Sequence, residues 1–117
     1  MMNDSILKTI RKLVGAGDST SPFDTDLIIH INSILMVLNQ LGVGKDGYTI
    51  SGEDETWSEF LDGRNDLAGI KTYVQARVRL LFDPPQNSSV TQALNDTIRE
   101  FEWRLYAANN PKNTFKG

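Results

Sequence analysis

Cysteine is missing from the 117 residues, which removes disulfides, Cys-ligated zinc and thiol nucleophiles from consideration and suits a reducing cytoplasm. Histidine occurs once, as His30. Asp24 and Asp26 precede it closely, but no second histidine or cysteine can complete a metal site. A half-exposed helical histidine is therefore expected. An excess of positive charge is absent too. Twelve Lys and Arg stand against fifteen Asp and Glu, for a net charge of −3, so the field that drives nonspecific nucleic-acid binding is missing. Long apolar runs are lacking as well. The segment from Met1 to Val14 interleaves Asn3, Asp4, Lys8, Arg11 and Lys12 with its apolar residues. It has neither the core of a signal peptide nor a span of about 20 apolar residues, and no membrane targeting is expected.

What is present reads as one small helical domain. The length suits a single folded unit. Apolar residues at Ile6, Leu7, Ile10, Leu13 and Val14 predict a helix capped at Asn3 or Asp4 and stopped by Gly15-Ala-Gly17. A second, longer helix, capped by Asp24 or Thr25, carries Leu27, Ile28, Ile31, Ile34, Leu35, Leu38 and Leu41 up to Gly42. Between Val43 and Glu55 the Asp46-Gly47 turn predicts a small hairpin or an ordered irregular loop. Thr56 to Leu61 predicts a short helix that buries Trp57, Phe60 and Leu61. A third long helix, from Asn65 or Asp66, carries Leu67, Ile70, Val74, Val78 and Leu81 and ends near Phe82, ahead of Pro84-Pro85. The last helix, capped by Ser88 or Ser89, presents Val90, Leu94, Ile98, Phe101 and Leu105. Along it Glu100 and Arg104 are spaced i, i+4, and Asp96 and Arg99 i, i+3. The expected organisation is an all-α bundle over residues 1–108 and a flexible C-terminal tail over 109–117.

Motifs that carry chemistry are not completed. Gly42-Val-Gly44-Lys45 resembles a fragment of a phosphate-binding loop, but Asn39 stands where that loop needs its first glycine and Asp46 where it needs Ser or Thr. The acids Glu53, Asp54, Glu55, Glu59 and Asp62 do not follow the calcium-loop pattern and read as a solvated loop that helps cap the short helix. Trp57, Trp103, Tyr73, Phe82, Phe101 and Tyr106 read first as core rather than as a cofactor box or a base-stacking platform. No catalytic residue, metal or cofactor is expected.

The run Tyr73-Val-Gln-Ala-Arg-Val-Arg-Leu-Leu-Phe-Asp-Pro-Pro85, a serine-containing cap, and then Arg99-Glu-Phe-Glu-Trp-Arg-Leu105 resemble the head-to-tail connector, or adaptor, proteins of long-tailed bacteriophages. Phe82-Asp-Pro-Pro85 and Glu102-Trp-Arg-Leu105 carry most of the likeness, which extends over residues 5–108. The resemblance implies an all-helical, non-enzymatic subunit of the virion neck, assembled in the host cytoplasm. It implies a ring, expected to be dodecameric, that sits beneath the portal protein and extends the DNA channel. The ring would dock a stopper or tail-completion protein and let DNA pass without tight binding. An interface role then falls to Arg77, Arg79, Trp103 and Arg104, and to a tail that orders on docking, with Asn109, Pro111, Lys112 and Phe115. The alternative is a small helical DNA-binding or packaging-associated protein. It would concentrate its basic residues on one face, whereas acids at 96, 100 and 102 break up the basic set of the last helix.

Overall fold

The computed structural model describes residues 5–17, 22–63, 67–82 and 84–109, apart from the side chains of Leu67 and Asn109. Five helices follow one another: α1 (Ile6–Leu13), α2 (Asp24–Gln40), α3 (Trp57–Leu61), α4 (Leu67–Phe82) and α5 (Ser88–Asn109). The fold is all-α, with no strand among the described residues. An isolated bridge joins Ser5 to Thr56.

Local chemistry sets the helix ends. Ser5 caps α1, its hydroxyl accepting from the Lys8 N–H at 3.2 Å, so the start falls after Asn3 and Asp4, which lie outside the described residues. α2 begins at Asp24 without a side-chain cap, because the capping position falls on Phe23, which has no side-chain acceptor, and the expected caps Asp24 and Thr25 lie inside the helix. α3 has a full capping box. Thr56 accepts from the Glu59 N–H and Glu59 accepts from the Thr56 N–H, which satisfies two orphan donors at once. At α5 the capping acceptor is Asn87, not Ser88 or Ser89. Its side-chain oxygen receives the N–H of Ser89 at 2.8 Å and of Val90 at 3.3 Å.

α4 is the central element and packs on α1, α2 and α5. The core between them takes Ile6, Leu7 and Ile10 from α1, Leu27, Ile31, Ile34, Leu35 and Leu38 from α2, and Ile70, Tyr73, Val74, Ala76 and Val78 from α4. α3 adds Trp57, Phe60 and Leu61, and the Trp57 indole N–H donates to the Thr9 hydroxyl at 3.2 Å. α5 covers α4 with Ile98 and Leu105, helped by Leu94 and Phe101.

Three residues assigned to the core stripes are exposed instead: Leu13, Leu81 and Val90. Each lies near the end of its helix, and since Val14 and Phe82, one position beyond Leu13 and Leu81, are covered, it is the direction in which Leu13 and Leu81 point, and not the reach of the neighbours, that leaves those two in water.

The segment after α2 is an ordered loop without hairpin pairing. Two asparagines of α2, two turns apart, hold it. Asn32 exchanges hydrogen bonds with the Ile50 backbone, receiving its N–H at 2.8 Å and donating to its carbonyl at 3.0 Å. Asn39 donates to the carbonyls of Val43 and Lys45 and accepts from the Gly47 N–H. Gly44 has φ +84°, and a Cβ placed there would lie 2.2 Å from Phe60. Only glycine meets both demands.

Candidate functional site

The residues singled out for an interface fall into three situations. Arg77 is half-buried in α4 and binds inside the fold: its Nη1 donates to the Tyr73 hydroxyl at 3.1 Å and to Glu102 at 2.8 Å. Tyr73 donates to the same carboxylate at 2.8 Å. The three side chains form a clasp between α4 and α5. Burial, reinforced by the Glu102 acceptor, pushes the Tyr73 hydroxyl up to about 12. Burial works to lower the Arg77 pKa, but its bonds to Tyr73 and Glu102 outweigh it and leave the group raised. Arg79 is partly covered in the same helix and does not join this cluster.

Trp103 and Arg104 stand outward on α5. Trp103 is 55% exposed and stacks on Tyr106, with ring centroids 6.3 Å apart. Arg104 pairs with Glu100 at 2.6 Å, and one turn earlier Arg99 pairs with Asp96 at 2.8 Å, as their spacing predicts. Asn109 is the last residue of α5. Pro111, Lys112 and Phe115 lie outside the described residues.

The aromatic set divides accordingly. Trp57 and Tyr73 are core, Phe82 and Phe101 pack at its edge, and Trp103 and Tyr106 are exposed.

Sequence reasoning missed the most buried charge. Arg11 has no solvent exposure. It makes a two-pronged contact with Asp24, Nε to Oδ1 at 3.1 Å and Nη2 to Oδ2 at 2.9 Å, and Nη2 also reaches Glu53 at 2.7 Å. The Asp24 hydrogen bonds are the main reason its pKa is raised. One side chain thereby ties α1, the start of α2 and the loop before α3, at sequence separations of 13 and 42. Its signal was faint: an arginine at position 11, directly after Ile10 on a short helix whose buried face it shares.

Little chemistry is assembled elsewhere. Three carboxylates of the acidic group serve structure. Glu55 accepts from Ser51 and the Gly52 N–H, Glu59 caps α3, and Glu53 meets Arg11. Among the described residues no group of three or more His, Asp and Glu is placed to hold a metal ion. The Gly44-Lys45 turn does not offer a phosphate cradle, because the Lys45 N–H is given to the Phe60 carbonyl at 2.8 Å and the Gly47 N–H to Asn39. His30 sits half-buried on α2. A shallow cleft of about 290 Å³ between α4 and α5 is lined by Arg77, Leu80, Leu81, Asn95, Ile98 and Glu102. Its two charged groups already bind each other. No described helix is long and apolar enough to cross a membrane.

What the surface does offer is exposed apolar side chains on three helices: Ile29 and Met36 on α2, Leu81 on α4, Trp103 on α5. Such groups mark contact surfaces more than reaction centres. The family model for phage connector proteins matches residues 6–112, nearly the whole chain. The chain belongs to the phage connector family. No curated protein and no solved structure matches it significantly. Membership of this family implies interaction with other phage head and tail proteins.

Proposed function

We propose that the chain is a structural adaptor subunit of the neck of a tailed bacteriophage. Copies close into a ring, expected to be dodecameric, beneath the portal. The ring continues the DNA channel and provides the platform for the stopper or tail-completion protein. The subunit works by contact and not by catalysis, and it reaches the virion neck after assembly in the host cytoplasm. The observation that carries this reading is the connector family match over residues 6–112.

Charge supports the conduit part. A channel wall must let phosphates slide, and a subunit of net charge −3, whose α5 arginines are matched by acids one turn away, grips them weakly. Trp103 and Arg104 supply outward contact groups of the kinds that interfaces enrich. Arg77 and Arg79, with the tail residues Asn109, Pro111, Lys112 and Phe115, complete the proposed contact set toward neighbour or portal.

The test is to mix the purified chain with its portal and compare electron micrographs and mass before and after. Added ring density beneath the portal is expected. Portal particles that gain neither density nor mass overturn the reading. A chain lacking residues 109–117 is expected to keep its thermal midpoint and attach less well.

A further inference from the structure

α2 is a surface helix whose solvent side carries almost no charge. From Leu27 to Gly44 there is no Asp, Glu, Lys or Arg, although Ile29 and Met36 are 60% and 57% exposed. A helix that faces water throughout normally carries charged residues on that side, whereas loss of charge and gain of methionine characterise the centres of protein interfaces. Ile29, Ser33 and Met36 follow at i, i+4 and i+7, one line along the helix. Ser33 is small and exposed between two larger side chains, so the line reads knob, notch, knob. Its hydroxyl already donates to the His30 carbonyl at 2.8 Å. Covering the notch therefore strands no polar group.

The second unusual patch is on α5. Trp103 lies stacked against Tyr106 at an interplanar angle of 30°, a plate fixed before anything binds to it, which lowers the cost of ordering it in a contact. The charges beside it are neutralised within α5 by the Arg104–Glu100 and Arg99–Asp96 pairs. The rim of the plate therefore brings no net charge to an uncharged face, and the pairs, which are exposed, stay in water around the contact. A lone lysine or carboxylate pressed onto α2 would lose its water with no counter-charge in return.

α2 and α5 both pack mainly on α4 rather than on each other, and within one copy both patches stay uncovered. We infer that they meet between copies: Trp103 of one subunit seats on the Ser33 notch between Ile29 and Met36 of the next. Two unlike patches on one chain make a head-to-tail contact, which closes into a ring when the rotation per subunit fits. The inference rests on the ring reading and says which faces form it. A two-fold pairing of α2 with α2 is the competing arrangement, and it leaves Trp103 uncovered.

The native chain has no cysteine, so introduced thiols report cleanly. Full-length Ala107→Cys, one turn beyond the retained Trp103, is mixed with Ile29→Cys or with Met36→Cys, oxidised mildly and weighed without reductant. One of the two mixtures is expected to give several-fold more disulfide heterodimer than Ala107→Cys mixed with Lys12→Cys on α1. Adding Trp103→Ala to the Ala107→Cys chain is expected to remove that excess. No excess in either mixture overturns the contact, as does self-linking of Ile29→Cys or Met36→Cys as the main product. A portal complex that shows ring density while the mixtures show no excess removes this contact and leaves the ring reading standing. Strong heterodimer without ring density on the portal supports the contact and removes the ring beneath the portal.

Discussion

Gly44 and Arg11 show how much single residues decide in a core this small. Replacing Gly44 by alanine forces a left-handed conformation on a residue with a Cβ, at about 1 to 2 kcal/mol, and drives that Cβ into Phe60, adding about 1 to 3 kcal/mol of overpacking. Gly47 also has positive φ, +73°, but faces open space. Gly44→Ala should therefore lower the denaturant midpoint clearly more than Gly47→Ala, and equal losses would show that Phe60 yields freely. Arg11→Met keeps the apolar stem of the side chain and strands Asp24 and Glu53. Removing one partner of a buried ion pair costs about 3 to 5 kcal/mol, and because both carboxylates keep some solvent the loss should fall near 3. A midpoint unchanged by Arg11→Met would mean that the pair only balances its own desolvation.

Between elements, the clasp of Tyr73, Arg77 and Glu102 joins α5 to α4 by polar contacts. Tyr73→Phe removes two hydrogen bonds but leaves Arg77 on Glu102, so a loss of about 1 to 2 kcal/mol is expected, measured by chemical denaturation. The same clasp sets an alkaline limit. Tyr73 and Tyr48 are both raised to about 12, first by burial and then by the carboxylates Glu102 and Glu59 that accept from them. The unfolded chain loses these protons near 10. The folded state therefore holds them more tightly between those values, and the stability they contribute, complete below pH 10, is lost as pH rises toward 12. Ultraviolet titration should show Tyr48 and Tyr73 ionising only near pH 12, with unfolding alongside, and ordinary titration near 10 in the folded state would contradict the packing. On the acid side Glu55 moves the other way. Burial works to raise it, but bonds from the backbone and Ser51 outweigh this and lower it. Its contribution is present above the usual carboxylate value and fades as pH falls below it, so Glu55→Gln should flatten the acid limb of the thermal midpoint.

At the scale of the molecule, charge predicts behaviour toward DNA. With twelve basic and fifteen acidic residues and the α5 arginines paired, duplex DNA should bind weakly and lose what affinity there is as salt rises. Tight binding at physiological salt would overturn the conduit reading and favour a DNA-binding role. The connector family was legible in the third and fourth long helices, where Tyr73 to Pro85 and Arg99 to Leu105 carry the likeness. The contact surface was legible only in part. Trp103 stood out by type, whereas the exposed side of α2 was hidden within a helix whose ladder of Leu27, Ile31, Ile34, Leu35 and Leu38 reads as core.

Helix identity and order follow from the chain's own periodicity and punctuation. Steps of three and four mark the helices, and Gly15, Gly42 and Pro84-Pro85 end them, because backbone conformation is governed by residues near in sequence. The exclusion of cysteine chemistry and of a strongly cationic surface likewise needs composition alone. Tertiary structure decided what depends on distance and reach. Arg11 is buried because Asp24 and Glu53 arrive from 13 and 42 residues away, and a periodicity contains no such term. Leu13, Leu81 and Val90 lie on apolar stripes yet stay in water, because a stripe says which face is apolar and not which of its positions a neighbouring element covers.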